Sequence, residues 1–340
     1  GQDAQIATAN ATCIALPAGQ PVHPPRNEGD LMREDNQELP FHPIYNYAVV
    51  TDSEEGLILI NINTFADGEP RNNYLERALT WNPGGVLDGA RHVTVGGHML
   101  YIAAAQGLVV VDLDKPLAPE LVAVVPMDGV RASALQFRYL FVTNAAGLQV
   151  VDVTNVQQPT LLQDNTIALD EAYRVYVART YAYVAAGADG LAIVDVKQPD
   201  QMKLLQKFSG GESDQGNFIP LRDSRDVVVG TTNASLFAYV ADGIGGMKVL
   251  QLTSPSSQPK FYGFSPAPKP VIVAHYPSEK PALSLSRGLA RDRGVDETGE
   301  QIAVFGRKGS RPLNQDEMQS LYLDSDGNPW FVNDQRDNAN

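Results

Sequence analysis

The apolar positions of this chain fall into short runs that repeat in a fixed order. A glycine followed by six largely apolar residues recurs as Gly56 to Ile62, Gly107 to Leu113, Gly147 to Val153, Gly190 to Val196 and Gly246 to Leu252, at intervals of 51, 40, 43 and 56 residues. A recurrence near this length marks propeller blades or stacked repeats. A second run, β-branched and aromatic, precedes each glycine: Tyr47 to Val50, Leu100 to Ala103, Leu140 to Thr143, Ala182 to Ala185 and Ala238 to Ala241. Before four of these stands a third run opened by arginine: Arg91 to Val95, Arg131 to Leu135, Arg174 to Val177 and Arg225 to Val229. A proline-containing turn and a fourth run follow the glycine strand, as in Pro119 to Val124 and Met202 to Leu205.

Each repeat therefore predicts four short antiparallel strands. Val109, Val110 and Val111 are apolar in succession, which fits a strand covered on both faces and explains the missing two-residue alternation. The glycine opens a hairpin where positive φ is inexpensive, and Asp112, Asp152 and Asp195 stand where a carboxylate can cap the turn. Sheets of this kind close radially to limit exposed edges. The expected architecture is an all-β propeller of four-stranded antiparallel blades. Six blades are expected, the sixth from runs near Ser286 to Ala290, Gln301 to Phe305, Ser320 to Leu323 and Trp330 to Val332; seven follow only if residues 1–40 add strands. Residues 1–40 read as an extended arm, 41–335 as one propeller domain and 336–340 as a tail. Long connections at 81–89, 209–224 and 263–283 are expected on one rim, the usual place for a binding face.

At Val109-Val110-Val111-Asp112 and Ala192-Ile193-Val194-Asp195 the chain resembles the LVIVD-repeat family. The resemblance spans about residues 41–265 and implies a β-propeller in a bacterial or archaeal surface-associated protein. It implies no catalytic residue, because the repeated strand is a packing element and propellers host many functions.

Charge and composition narrow the partners. Against 40 Asp and Glu stand 26 Lys and Arg, for a formal net charge of −14. That balance disfavours nucleic acid and anionic membrane surfaces. Cys13 is the only cysteine, so neither an internal disulfide nor covalent haem attachment is expected. No run approaches the ~18 apolar residues of a spanning helix. Low basic content with many Asn, Gln and Gly residues points to an exported protein, extracellular, cell-surface or periplasmic.

Candidate chemistry is sparse. Arg91, Arg131, Arg174, Arg225 and Arg287 occupy one position in successive repeats; they read either as an anion-binding collar at the channel mouth or as arginines tied to neighbouring carboxylates. Asp324, Asp326 and Asn328 resemble a fragment of a calcium loop that lacks the rest of its pattern, so a tight turn is expected, with Ca²⁺ left open as a cofactor. His92 and His98 could share a metal only if the hairpin between them brought them together. His23, His42, Phe41, Trp81 and Trp330 are candidates for contact with a partner chain. There is no G-x-S-x-G, P-loop or Rossmann fingerprint. The expected function is a non-catalytic, exported interaction scaffold whose rim and arm bind other proteins, in a surface assembly or as an accessory to a cytochrome in extracellular electron transfer. The alternative is a propeller hydrolase or lyase with a metal- or Arg-lined axial pocket.

Overall fold

In the computed structural model the described residues are 5–17, 42–65, 74–162, 165–212, 216–232, 235–254, 257–258 and 265–286, with four short strands beyond them. The chain divides into a unit over residues 1–285 and a second over 286–340.

Among the described residues the first unit holds five antiparallel sheets of four or more strands, in chain order, and one two-stranded hairpin. The first contains β1 (Ala11–Ala15), β2 (Tyr47–Asp52), β3 (Gly56–Asn61) and β4 (Glu76–Trp81). The second contains β5 (His92–Gly96), β6 (Met99–Ala104), β7 (Gly107–Asp112) and β8 (Glu120–Pro126). The third has β9 (Ala132–Gln136), β10 (Tyr139–Asn144) and β11 (Gly147–Asp152), with its fourth position split between β12 (Thr160–Leu161) and β13 (Ile167–Ala168). The fourth is β14 (Val175–Ala178), β15 (Tyr181–Ala185), β16 (Leu191–Asp195) and β17 (Lys203–Phe208). A hairpin of β18 (Gly210–Glu212) and β19 (Phe218–Pro220) leads to the fifth: β20 (Asp226–Thr232), β21 (Ser235–Ala241), β22 (Met247–Thr253) and β23 (Val271–Tyr276). First strands of successive sheets lie beside one another, the radial order of a propeller.

Val109, Val110 and Val111 are all fully buried, as a doubly covered strand requires. Val109 and Val111 join the core shared with the first sheet, whereas Leu108 and Val110 join the core shared with the third. The fourth sheet repeats the arrangement: Ala192 and Val194 face the third sheet, Leu191 and Ile193 the fifth. Fully burying one such side chain is worth about 1.5–3 kcal/mol, so the repeated strand is where adhesion between sheets is concentrated.

The outer pairing carries a register shift at one place in four sheets: Leu59/Ile60, Val110/Val111, Ile193/Val194 and Val249/Leu250. In the third sheet this bulge is enlarged, which is why β12 and β13 are separate strands on β11. The repeat's aspartate caps the turn as expected. Asp112, Asp152 and Asp195 each accept, through Oδ1, the backbone N–H two residues on, from Asp114, Thr154 and Lys197.

Two segments differ from their sequence reading. Within the expected arm, Ala11–Ala15 pairs with β2 and supplies the innermost strand of the first sheet. Ile14 is 65% exposed while Cys13 and Ala15 pack on the core between the first two sheets; covered on only one side, this strand has a weak apolar signature. The connection at 263–283 contains β23, the outer strand of the fifth sheet, displaced along the chain by an unusually long excursion after β22.

In the second unit the described residues form two short pairs, β24 (Gly294–Val295) with β25 (Gln301–Ile302), and β26 (Arg307–Lys308) with β27 (Arg311–Pro312). The remaining positions of the expected sixth blade lie outside the described residues. Among the described residues no helix is long and apolar enough to cross a membrane.

Candidate functional site

Four arginines mark one end of the inner strands. Backbone N–H groups of Arg91, Arg131 and Arg225 donate to the carbonyls of Ala103, Thr143 and Ala241 on the second strands, and the Arg174 carbonyl accepts from Ala185. These bonds place each arginine beside the tip of the hairpin joining second and third strands. Arg287 lies outside the described residues.

The structure brings Arg131 and Arg225 together on Tyr173. Their guanidinium carbons lie 4.9 and 4.2 Å from its ring centroid, a cation–π arrangement. Arg131 also donates to the Ala172 carbonyl at 3.1 Å. Arg225 Nε stands 2.6 Å from Asp223 Oδ1. Tyr173 donates its hydroxyl to Glu171 Oε1 at 2.7 Å, and that bond holds the Glu171 carboxyl below its ordinary range against the opposing effect of burial. Burial, then the Glu171 contact, pushes the Tyr173 hydroxyl up. The result is a girdle of alternating charge across the third, fourth and fifth sheets, with the cations engaged by a ring, a carbonyl and the Asp223 carboxylate. Arg131 and Arg225 are thus tied to neighbouring groups.

Arg174 points to a different neighbour. Both its terminal nitrogens lie 3.9 Å from Cys13 Sγ, which links the fourth sheet to the first. Asp226, buried at the start of β20, has its carboxyl pushed up by desolvation, despite amide bonds from Leu285 and Val227 and the charge of Arg174. Arg91 is exposed.

The histidines arrange themselves differently from their spacing. His92 and His98 sit at opposite ends of β5, and His92 Nδ1 accepts the Ser133 amide at 3.3 Å. His98, at the β5–β6 turn, instead meets His42. Their rings stack with centroids 5.7 Å apart and planes inclined 15°. His42 is buried, caps the short 3₁₀ turn Pro43–Asn46 by accepting the Ile44 amide on Nδ1 at 3.1 Å, and has Nε2 3.2 Å from Asp114 Oδ1. Trp81, the last residue of β4, packs half-buried on the core between the first two sheets. His23, Phe41, Trp330, Asp324, Asp326 and Asn328 lie outside the described residues.

Tyr173 and Glu171 went unread in the sequence because they occur in one repeat only, just ahead of Arg174. Asp114 went unread because its histidine partners come from two different repeats.

Residues 89–125, 135–164 and 171–209 match the LVIVD repeat. A comparison with curated proteins finds no match. Among solved structures, a functionally unknown protein from Desulfotomaculum acetoxidans aligns over 87% of this chain and 79% of its own, with 9% identity and a TM-score of 0.51. A candidate 6-phosphogluconolactonase from Bacteroides fragilis aligns over 75% and 72%, with 9% identity and a TM-score of 0.50. The periplasmic gluconolactonase of Pseudomonas aeruginosa aligns over 76% and 74%, with 11% identity and a TM-score of 0.47. At these identities the likeness concerns fold. The matched repeats fall on the second, third and fourth sheets and include their third strands, and the chain carries the LVIVD repeat on a β-propeller fold.

Proposed function

We propose that the chain is a non-catalytic, exported propeller that binds a partner protein with the rim of its fifth sheet. The observation that carries this reading is a group of exposed apolar side chains at the end of the fifth sheet where the connection arriving from the fourth sheet meets the segment after β23. Phe218 on the β18–β19 hairpin is 64% exposed, Ile244 at the β21–β22 tip 73%, Tyr276 at the end of β23 68% and Leu283 just beyond it 61%. They share one end of the sheet. Gly243 and Ala282 exchange backbone hydrogen bonds beside Ile244 and Leu283, Tyr276 pairs with Met247, and β18 lies against β23. Apolar side chains gathered on a polar surface mark a protein-binding site, and functional loops gather where a rigid scaffold displays them. The acidic charge favours a partner whose contact surface is apolar at its centre and basic at its rim. The engaged girdle at Tyr173 supports a structural duty for the arginines rather than a reactive one.

The test places a photo-crosslinking residue at Ile244 or Leu283 and, as a control, at Leu204 on the outer strand β17. In the native host the rim positions should trap one common partner and the β17 position should not. Phe218→Ser with Ile244→Ser should abolish capture while shifting Tm by no more than about 1 °C, as expected of exposed substitutions. Crosslinks confined to other surfaces, or turnover of lactones or esters by the purified protein, would defeat this reading in favour of the hydrolase.

A further inference from the structure

We propose that His42, His98 and Asp114 form a binding site for one divalent transition-metal ion, with Zn²⁺ as its representative, joining the first and second sheets. The site lies at the opposite end of β5 from Arg91. It is independent of the rim of the fifth sheet.

Three donor atoms, one from each residue, lie within 4.8 Å of one another. His42 Nε2 and Asp114 Oδ1 are 3.2 Å apart, close to the about 3.3 Å between neighbouring ligands on a tetrahedral ion with bonds of ~2.0–2.1 Å. A modest inward movement of His98 completes the set. His42 forms the buried floor, and the His98 and Asp114 side chains, 41% and 47% exposed, leave a path for entry. Asp112 Oδ1 lies 3.9 Å from His98 Nε2 and adds negative charge beside the site. Two imidazoles and a carboxylate, with no sulfur, suit Zn²⁺, Ni²⁺ or Co²⁺, whereas Ca²⁺ and Mg²⁺ prefer oxygen alone.

The fold does not require the side chains of His98 and Asp114, whereas that of His42 also caps the Pro43–Asn46 turn. The backbone carbonyl of His98 accepts from Leu113, and the same bond is made in other sheets by Asn46, Arg138 and Thr180. Asp114 uses its backbone N–H to cap Asp112, a task done elsewhere by Thr154 and Lys197. The main chain is served by any residue at positions 98 and 114, so the imidazole and the carboxylate that the second repeat brings to His42 are an addition to the repeat.

Proton placement sets the terms of binding. Because Nδ1 of His42 accepts the Ile44 amide, the neutral ring carries its proton on Nε2, directed at Asp114. When a metal takes Nε2 the proton moves to Nδ1 and the Ile44 amide is released to another acceptor. The metal therefore competes with one helix-capping bond, a small opponent beside two nitrogen ligands and a carboxylate.

The full chain, stripped by chelation, is titrated with Zn²⁺ by calorimetry and with Co²⁺ by visible absorption. We expect one ion per chain, intense four- or five-coordinate Co²⁺ bands, and a Tm raised by about 3 °C or more at ~100-fold excess over Kd. His98→Ala and Asp114→Asn, both at half-exposed turn positions, should weaken binding at least ~10-fold while His275→Ala leaves it unchanged. Weak, six-coordinate Co²⁺ spectra, absence of one-to-one binding, or Zn²⁺ affinity unchanged in both His98→Ala and Asp114→Asn would overturn the assignment.

Discussion

Replacing Gly147 by Ala is expected to lower stability by about 3–5 kcal/mol, combining a disallowed backbone conformation with an intolerable contact. Gly147 opens β11 at φ +120°, and a Cβ there would lie deep inside the Ile167 carbonyl and 2.6 Å from the Leu169 nitrogen. Those atoms belong to β13 and the residue after it, the backbone that pairs with the start of β11. Neither can retreat without opening the sheet. Gly107 faces the same problem at φ +136°, with the Val125 carbonyl and the Met127 nitrogen in its path. Gly84, at φ +60° with nothing within 4 Å, isolates the conformational term; Gly84→Ala should cost only about 1 kcal/mol. Urea unfolding of the three proteins gives the comparison, read as shifts in midpoint. Near-equal losses for Gly147→Ala and Gly84→Ala would show that close backbone approach is not why the repeat opens on glycine.

The second large effect concerns the one ion pair buried on both sides among the described residues. Lys248 Nζ lies 2.8 Å from Asp242 Oδ2 and 2.6 Å from the Gly245 carbonyl, with the side chains 2% and 0% exposed. The Asp242 carboxylate also accepts the amides of Arg222 and Asp223 and the Ser224 hydroxyl. It thus ties the β21–β22 tip to the connection that arrives from the fourth sheet. Lys248→Met leaves a carboxylate without its cation in a dry site, and a loss of about 3–5 kcal/mol is expected. Removing both charges in Lys248→Met with Asp242→Asn should recover more than half of that loss, because the penalty comes from the stranded charge. A double variant no better than Lys248→Met would mean that the carboxylate's amide bonds, and not the ion pair, hold the connection.

These two cases show what was legible in the sequence. Consecutive valines, the opening glycine and the capping aspartate each announce a local backbone demand, and repetition made them readable as a propeller. β1 stayed hidden because Ala-Thr-Cys-Ile-Ala is covered on one side only, with Ile14 turned to open space. β23 stayed hidden because a long excursion separates it from β22, so the turn that precedes the fourth run elsewhere is missing. The arginine position was legible and its chemistry was not, since Tyr173, which gathers Arg131 and Arg225, lies one residue ahead of a different arginine. His42, His98 and Asp114 come from two repeats at separations set by loop length, and no local pattern links them. Sequence periodicity reports the layers of a sheet well; it is silent on which loop ends meet across two sheets.

The glycine-led strands are the cohesive layer between sheets packed around one axis. Backbone amide hydrogen exchange along the whole chain measures this directly. β6, β7, β10, β11, β15 and β16, each buried within its sheet and between sheets, should exchange slowest and as cooperative groups, with the outer strands β8 and β17 exchanging earlier. Exchange from 107–112, 147–152 and 191–195 as fast as from 120–126 and 203–208 would contradict the account.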